Sequence, residues 1–528
     1  MAEKTYRQVL EAVRDGANVV PLVREVPGDL HTAVSAFLDV AGPDEPAFLL
    51  ESVEGGDRMA RYSFLGARPF ETWTVVAGRL LRKLPSGEEI RTDGGGCGSN
   101  PFAAIGDAMT RFRALDEPGL PRFCGGAVGY VGYEMMRHLE PSTGLCPRDC
   151  DEAMFMLFRD IIAFDRLKHR MLLIANLIAD GRASSRKAYD SARDSLDAME
   201  ARLSHPRAVS APIARPHRLR PRSVSSVSGD DIFLDGVLRL KRHIRQGDIF
   251  QAVLANGVRV QLRADPFDVY RALRMINPSP YMFFVRMDGA TALGASPEML
   301  VRVENGWLET RPIAGTRPRG ATEAQDLRRE EALLKSVKER AEHVMLVDLS
   351  RNDVGRVARA GSVRVGSFMQ IERYSHVMHL VSSVRGRLKR GLSPWDAFAA
   401  CFPAGTVTGA PKIRAMQLVS DIEASPRGLY GGAVVYHDFR GNLDSAIAIR
   451  CTEIRQDGCG QLATILAGAG IVADSQPMRE LNETRHKARA VLEAVRIAHS
   501  VGRGPKSDFP GRKVGGGTHA LGVSRGAS

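Results

Sequence analysis

The chain has 528 residues, 44% of them hydrophobic and 25% charged, the composition of a globular protein with a large core and about two to four domains. Its formal net charge of +12 would suit nucleic acid or a membrane surface, but the excess is local. Six arginines lie between 202 and 222 with no acid, and the stretch from Arg503 has five bases against Asp508 alone, so ten of the twelve net charges fall there and the body is nearly neutral.

Tyr6–Arg14 reads as a short amphipathic helix, residues 19–26 as an extended segment, and residues 31–40 as another helix. Ala47–Glu51 is a continuous apolar run, hence a buried strand, and Gly55-Gly56 turns the chain into Arg61-Tyr-Ser-Phe-Leu-Gly66. Residues 123–134 alternate glycine with apolar side chains, which marks close backbone approach or bulges. A buried strand is expected over 171–179 and a charged helix over 184–204. Residues 205–228, rich in Pro, Arg and Ser, have the composition of a linker. Helical periodicity returns over 230–246, with Gly247 where a C′ glycine belongs. A strand at 249–254 follows, and strands and helices alternate to about Ser500. The expected organisation is an N-terminal region (1–204), a linker (205–229), a second domain (230–500) and a disordered basic tail (501–528).

The opening residues hold no apolar signal core, and no apolar run approaches the ~18–20 residues that cross a bilayer. Seven scattered cysteines without CxxC spacing read as reduced thiols in the cytoplasm.

Three constellations carry chemistry. In Lys338–Asp353, residues Glu339, Glu342 and His343 stand at i, i+3 and i+4, so one helix face offers two carboxylates and an imidazole. A half-buried carboxylate pair needs a cation or basic side chains beside it. A second helix, 478–487, offers Glu480 and Glu483 at the same spacing after Ser475-Gln-Pro477. Two such pairs suit a hard cation. Mg²⁺ takes oxygen ligands, keeps water and completes its shell with an anionic substrate. Zinc is the rival, but it favours histidine or thiolate, and one histidine stands here among many carboxylates. The third constellation is a set of anion-binding turns: 312–320, Gly405-Thr-Val-Thr-Gly-Ala-Pro-Lys412 opening the helix 413–421, and Gly468-Ala-Gly470 after the strand 462–466. None has Walker spacing. A metal and several such turns point to a small polyanion.

These motifs, in order, are PIAGTRPRG (312–320), AEHVMLVDLSRND (341–353), FPAGTVTGAPK (402–412), LAGAGIVADS (466–475) and ELNETRHKA (480–488). Together with Leu49–Ser52, 61–66 and 125–133 they resemble the chorismate-utilising enzymes, and within them the large subunit of anthranilate synthase, over roughly residues 5–500. The resemblance implies an α/β (α+β) fold of layered antiparallel-rich sheets with outer helices. It implies Mg²⁺-dependent amination of chorismate at ring C2 with loss of the C4 hydroxyl, then elimination of pyruvate. By motif position, Glu342 and Glu483 would hold Mg²⁺ with Glu339 and Glu480 in support. Gly315, Thr316, Tyr430, Arg450 and Gly468, Ala469 and Gly470 would bind chorismate. Glu298 would protonate the departing hydroxyl, Thr406 would be a hydrogen-bond partner, and His379 matches the histidine linked to elimination. Ser52 together with Pro280, Tyr281 and Met282 matches the segments that bind L-tryptophan as feedback inhibitor, with the Glu51 carboxylate offered to its amino group.

Two positions discriminate among relatives. Gln251 stands where isochorismate and salicylate synthases carry a lysine base, and Ala314 where aminodeoxychorismate synthases carry an attacking lysine, so ammonia is the expected nucleophile. Ala255-Asn-Gly257, Cys451 and Val435 depart from the usual family residues. No cysteine stands in a glutaminase-type nucleophile elbow, so a separate glutamine amidotransferase subunit is implied as partner in a hetero-oligomer. The alternatives are an aminodeoxychorismate or aminodeoxyisochorismate synthase, and, from other classes, a basic nucleic-acid or membrane-surface binder or a zinc hydrolase.

Overall fold

The structure is a computed structural model that describes residues 3–52, 61–84, 86–92, 100–146, 151–179, 185–205, 224–374, 377–458 and 460–501. The Gly55-Gly56 turn, the arginine-rich stretch 206–223, Cys150 and the stretch beyond 501 read as a tail lie outside these residues.

Among the described residues, two sheets of twelve strands each form the body, and every strand pair is antiparallel. The first runs from Val19–Pro27 through Arg170–Ile178, Tyr62–Ala67 and Ala47–Glu51 to Tyr281–Met287, and ends with Gly460–Ile471, Gln251–Leu262 and Val224–Ser226. The second runs from Ile313–Pro318 and Val377–Arg387 through Leu443–Ile447 and Ala433–Asp438 to Gly126–Val131 and the hairpins before residue 93. Strands from before and after residue 205 are therefore neighbours in both sheets. The last part of the stretch read as linker, Val224–Ser226, is an edge strand on Val258–Val260.

Apolar faces of the two sheets meet in one buried cluster, with Phe48, Phe64 and Phe283 from one and Val128, Met154 and Val434 from the other. Within the second sheet, Gly129 permits the close pairing of Gly126–Val131 with Ala153–Phe158, since a Cβ there would sit 1.9 Å from the Met154 carbonyl oxygen. Helices cover the outer faces. Ala33–Val40, Pro266–Ile276 and Pro477–Val501 pack on the first sheet, and Pro101–Thr110, Val337–Val357 and Pro394–Cys401 on the second.

Local chemistry explains the helix ends. Thr5 and Gln8 make a reciprocal capping box for Tyr6–Arg14. In Asp230–Arg245, Asp230 and Asp231 occupy the first turn and Arg242, His243 and Arg245 the last, complementing the helix dipole. Gly247 follows with φ of 82°.

Two expected turns are strands. Residues 313–318 pair with Val377–Arg387, with a register shift between Ala314 and Thr316 and Gly315 at φ 61°. Gly468-Ala-Gly470 lies within the strand Gly460–Ile471, opposite Val253–Ala255. Its glycines serve close approach, not reversal. A Cβ on Gly468 would sit 2.5 Å from the Tyr430 hydroxyl, and one on Gly470 2.8 Å from Gln251 Nε2.

Candidate active site

The far ends of the two sheets meet under the helices Val337–Val357 and Pro477–Val501. Between them opens a cavity of about 560 Å³, within the range of small-molecule sites. Ser336 caps the first helix by accepting the Glu339 N–H at 3.4 Å, which sets Glu339 and Glu342 one turn apart. Glu342 lines the cavity from this helix, and Glu480 and Glu483 from the other. Thr316, His379, Glu298, Thr406, Tyr430, Arg450, Gly468 and Gly470 are also part of the wall.

Three expected residues stand apart from that lining. Ala469 points into the core on the opposite face of its strand and is 0% exposed, so only its backbone adjoins the site. Gly315 takes part through its carbonyl, described below, and Glu339 is turned to Arg317, whose Nη1 donates to it at 3.0 Å. His343, on the same helix, is fully buried, and its Nε2 lies 2.6 Å from Ser382 Oγ. The imidazole read beside the carboxylates therefore belongs to the core.

Glu298 is 8% exposed, and burial pushes its carboxyl up to about 8. Thr406 Oγ1 donates to its Oε1 at 3.1 Å, a bond that favours the ionised form and partly offsets the burial. A carboxyl that keeps its proton at neutral pH can act as an acid. His379 Nδ1 lies 3.3 Å from the Gly315 carbonyl and 3.0 Å from Thr316 Oγ1. Donation to that carbonyl fixes the proton on Nδ1 and leaves Nε2 its lone pair. Burial lowers the His379 pKa, so the ring is neutral near pH 7.

Arg450 has a backbone φ of 53°, which costs a non-glycine residue roughly 1–3 kcal/mol. Its guanidinium makes no hydrogen bond or ion pair among the described residues, although burial lowers its pKa. A strained, unpartnered arginine in a cavity wall is suited to an incoming carboxylate. Tyr430 beside it is buried, which raises its phenol to about 12.

The carboxylates of the two helices form a candidate cation site. Burial raises the Glu342 pKa, and the negative charges of Glu339 and Glu483 raise it further, a repulsion that a cation would relieve. The donors facing the cavity are carboxylate oxygens, which fits a hard ion such as Mg²⁺ better than zinc. Among the described residues no three metal-binding side chains converge into a ready cage. Lys487 holds Glu483 at 2.6 Å, as Arg317 holds Glu339. The set fits an ion that keeps water and shares its shell with a substrate.

Comparison with known proteins agrees with this chemistry. The chorismate binding enzyme family matches residues 79–493. Anthranilate synthase component 1 of Acetivibrio thermocellus is 43% identical over 489 residues, 92% of this chain and 97% of that one. The protein of that name from Mycobacterium tuberculosis is 42% identical over 514 residues, covering 95% and 97%. The chain belongs to the anthranilate synthase component 1 family. The crystal structure of anthranilate synthase component I from Streptococcus pneumoniae superposes with a TM-score of 0.70 at 34% identity, covering 83% of this chain and 94% of that one. The menaquinone-specific isochorismate synthase of Escherichia coli shares the fold, at 16% identity and a TM-score of 0.66 over 93% of this chain.

In this member of the anthranilate synthase component 1 family, Gln251 and Ala314 both line the cavity, so no lysine occupies either discriminating position. Sequence reasoning missed Arg427. Its guanidinium donates to the carbonyls of Val253 and Val407 at 2.6 and 2.8 Å, tying together two segments of the cavity wall. A single arginine beside a glycine gave no periodic or spacing signal. Lys338, Arg479 and Lys487 add basic lining that the motifs did not single out.

A second cavity, of about 70 Å³, lies between the sheets near Ala47–Glu51. Ser52, Pro280, Tyr281 and Met282 all line it. Glu51 does too, but its carboxylate is committed: it accepts from Tyr270 at 2.7 Å, from Arg274 at 2.8 Å and from Arg166 at 3.2 Å.

Proposed function

We propose that the chain converts chorismate and ammonia to anthranilate and pyruvate, with Mg²⁺ as cofactor. The observation that carries this reading is the buried Glu298 carboxyl, pushed up to about 8 and bonded to Thr406, in one cavity with Arg450 and carboxylates from two helices.

Arg450, Tyr430, Thr316 and the strand backbone at Gly468–Gly470 bind the carboxylates and oxygens of chorismate. Ammonia forms a bond to ring C2 as the C4–O bond breaks, and Glu298 gives its proton to the departing hydroxyl, which leaves as water. The proton lost by the new amine restores Glu298. In the second step Nε2 of the neutral His379 removes the C2 proton while the C3–O bond breaks and the ring becomes aromatic. The enolpyruvyl group takes up a proton and departs as pyruvate. Glu342 and Glu483, supported by Glu339 and Glu480, would hold Mg²⁺, which supplies positive charge to the ring carboxylate.

The absence of lysine at 251 and 314 supports ammonia as nucleophile. A glutamine amidotransferase subunit is its source, which makes the working form a hetero-oligomer. L-Tryptophan binds at Ser52, Pro280, Tyr281 and Met282 as inhibitor. The four described cysteines are free thiols, and no helix among the described residues is long and apolar enough to cross a membrane, both in keeping with the cytoplasm. The test is incubation of the purified chain with chorismate, Mg²⁺ and ammonium salt, followed by anthranilate fluorescence. Isochorismate formed without ammonia, and no anthranilate with it, would overturn the reading.

A further inference from the structure

Thr406, the partner of the Glu298 carboxyl, stands on a single 3-10 turn, Gly405–Val407. Within the turn, the Val407 N–H donates to the Ala404 carbonyl at 3.2 Å, and Thr408 closes on Gly405 through its N–H and on Ala404 through its hydroxyl. Two further bonds fix the turn against the cavity wall. The Thr408 carbonyl accepts the Val253 N–H at 2.8 Å, and the Val407 carbonyl accepts from the Arg427 guanidinium at 2.8 Å.

Arg427 is 4% exposed and directs its planar fork at three partners. Nε and Nη2 donate to the Glu423 carboxylate at 2.8 and 2.7 Å. Nη2 donates also to the Val253 carbonyl at 2.6 Å, and Nη1 donates to Val407. The backbone beneath it is pinned, because the Glu134 carboxylate accepts the Arg427 and Gly428 N–H groups at 2.6 and 3.1 Å. A buried ion pair adds little net stability, and a hydrophobic pair of like volume can serve a core as well. The fork does what such a pair cannot: it holds carbonyls of two segments at a fixed separation and angle. A shift of Thr406 by about half an ångström would carry its 3.1 Å bond to Glu298 out of hydrogen-bonding range.

We propose that Arg427 is a positioning residue for the first step: by gripping the Val407 and Val253 carbonyls it holds Thr406 on the Glu298 carboxyl. The proposal rests on Glu298 as proton donor and adds what orients it. Arg427 is not among the residues that line the cavity, so it acts through Thr406. The titratable groups that share walls with Glu298 include Arg311, Asp353, His379, Glu342 and Arg450. None of them shifts its proton; burial raises its pKa and the Thr406 bond lowers it.

The test uses two variants. Arg427→Lys keeps a charge opposite Glu423 but lacks the fork that holds both carbonyls. Arg427→Met/Glu423→Gln removes the buried charges together, and its amide oxygen can still accept the Ala255 N–H that Glu423 takes at 2.8 Å. Amination is followed as loss of chorismate at saturating free ammonia across pH, with the circular dichroism spectrum and Tm as checks on the fold. Expected in both variants is a kcat for this step roughly ten-fold lower, with chorismate KM unchanged. The alkaline limb should rise by about one pH unit, the shift of losing one hydrogen bond to a charged group. Thr406→Val should show the same limb, and adding it to Arg427→Lys should move the limb no further. A lower Tm with the limb where the wild type has it would make Arg427 a structural residue and overturn the proposal. A limb shift that adds to that of Thr406→Val also overturns it, since the two residues would then act separately. If Arg427→Lys fails to fold, the paired variant decides. A limb that survives in Glu298→Gln counts against Glu298 as donor and takes the proposal with it. A limb owed to Glu298 that neither variant moves counts against Arg427 alone.

Discussion

Tyr281 lies directly opposite Ser296 in an antiparallel pair, and Ser296 stands two residues before Glu298. The proposed proton donor thus sits just past the end of the strand that pairs with the wall of the smaller cavity. A second link runs through Ala446, which lines the smaller cavity, to Ile447, whose N–H donates to the Glu298 carbonyl at 3.0 Å. These two links give a path by which a ligand that displaced Tyr281 would shift the segment holding Glu298.

Tryptophan should therefore inhibit the ammonia-dependent reaction, with a coupling on the order of 1–3 kcal/mol. It must bind the less active arrangement better, or it shifts nothing. Ser52→Phe should occupy the cavity and relieve inhibition while turnover stays near wild type. Inhibition curves of the two proteins decide this. Overlapping curves would make the smaller cavity a packing defect.

The pH dependence follows from Glu298. Its carboxyl is protonated below about 8, so amination of chorismate at saturating free ammonia should hold on the acid side and fall as pH climbs through about 8. Thr406→Val removes a bond that favours the ionised form, which should move that limb to higher pH. Glu298→Gln should cost roughly 10²–10⁴ in rate and abolish the limb. A limb that stays in place in Glu298→Gln would assign it to another group.

Metal dependence should be lost through either helix. Glu342→Gln and Glu483→Gln each remove one anionic ligand, so each should abolish most turnover and weaken Mn²⁺ binding, followed by electron paramagnetic resonance, with the circular dichroism spectrum intact. Full activity in EDTA would refute the cation site.

His379→Ala should separate the two steps. With Nε2 gone, amination should continue and the amino intermediate should leave in place of anthranilate, as seen by chromatography of the products. Recovery of chorismate alone would put His379 in the first step. Because His379 must be neutral to take a proton, elimination in the wild type should fail at acid pH before amination does.

Side chains with unusual chemistry were readable from the sequence. Glu342, Glu480 and Glu483 stand at helical spacing, and their helices bring them to one cavity. Glycine-rich segments were harder. Gly468 and Gly470 look like a turn by composition, yet they serve a strand approached closely by Tyr430 and Gln251, a demand made by residues distant in sequence. His343 shares the spacing of Glu339 and Glu342, but its burial on Ser382 depends on a strand packed behind the helix. Glu51, with a carboxylate that seemed free, is claimed by Arg166, Arg274 and Tyr270, which no local pattern places beside it.

Ala47–Glu51 finds one of its neighbours, Tyr281–Met287, more than two hundred residues later in the chain. A ribosome thus releases the first half with the edge of Ala47–Glu51 unpaired until the second half emerges. Closing such loops is slow, and open edges invite association with other chains. The first two hundred residues made alone would be an aggregation hazard, and the molecule matures only once its late strands arrive.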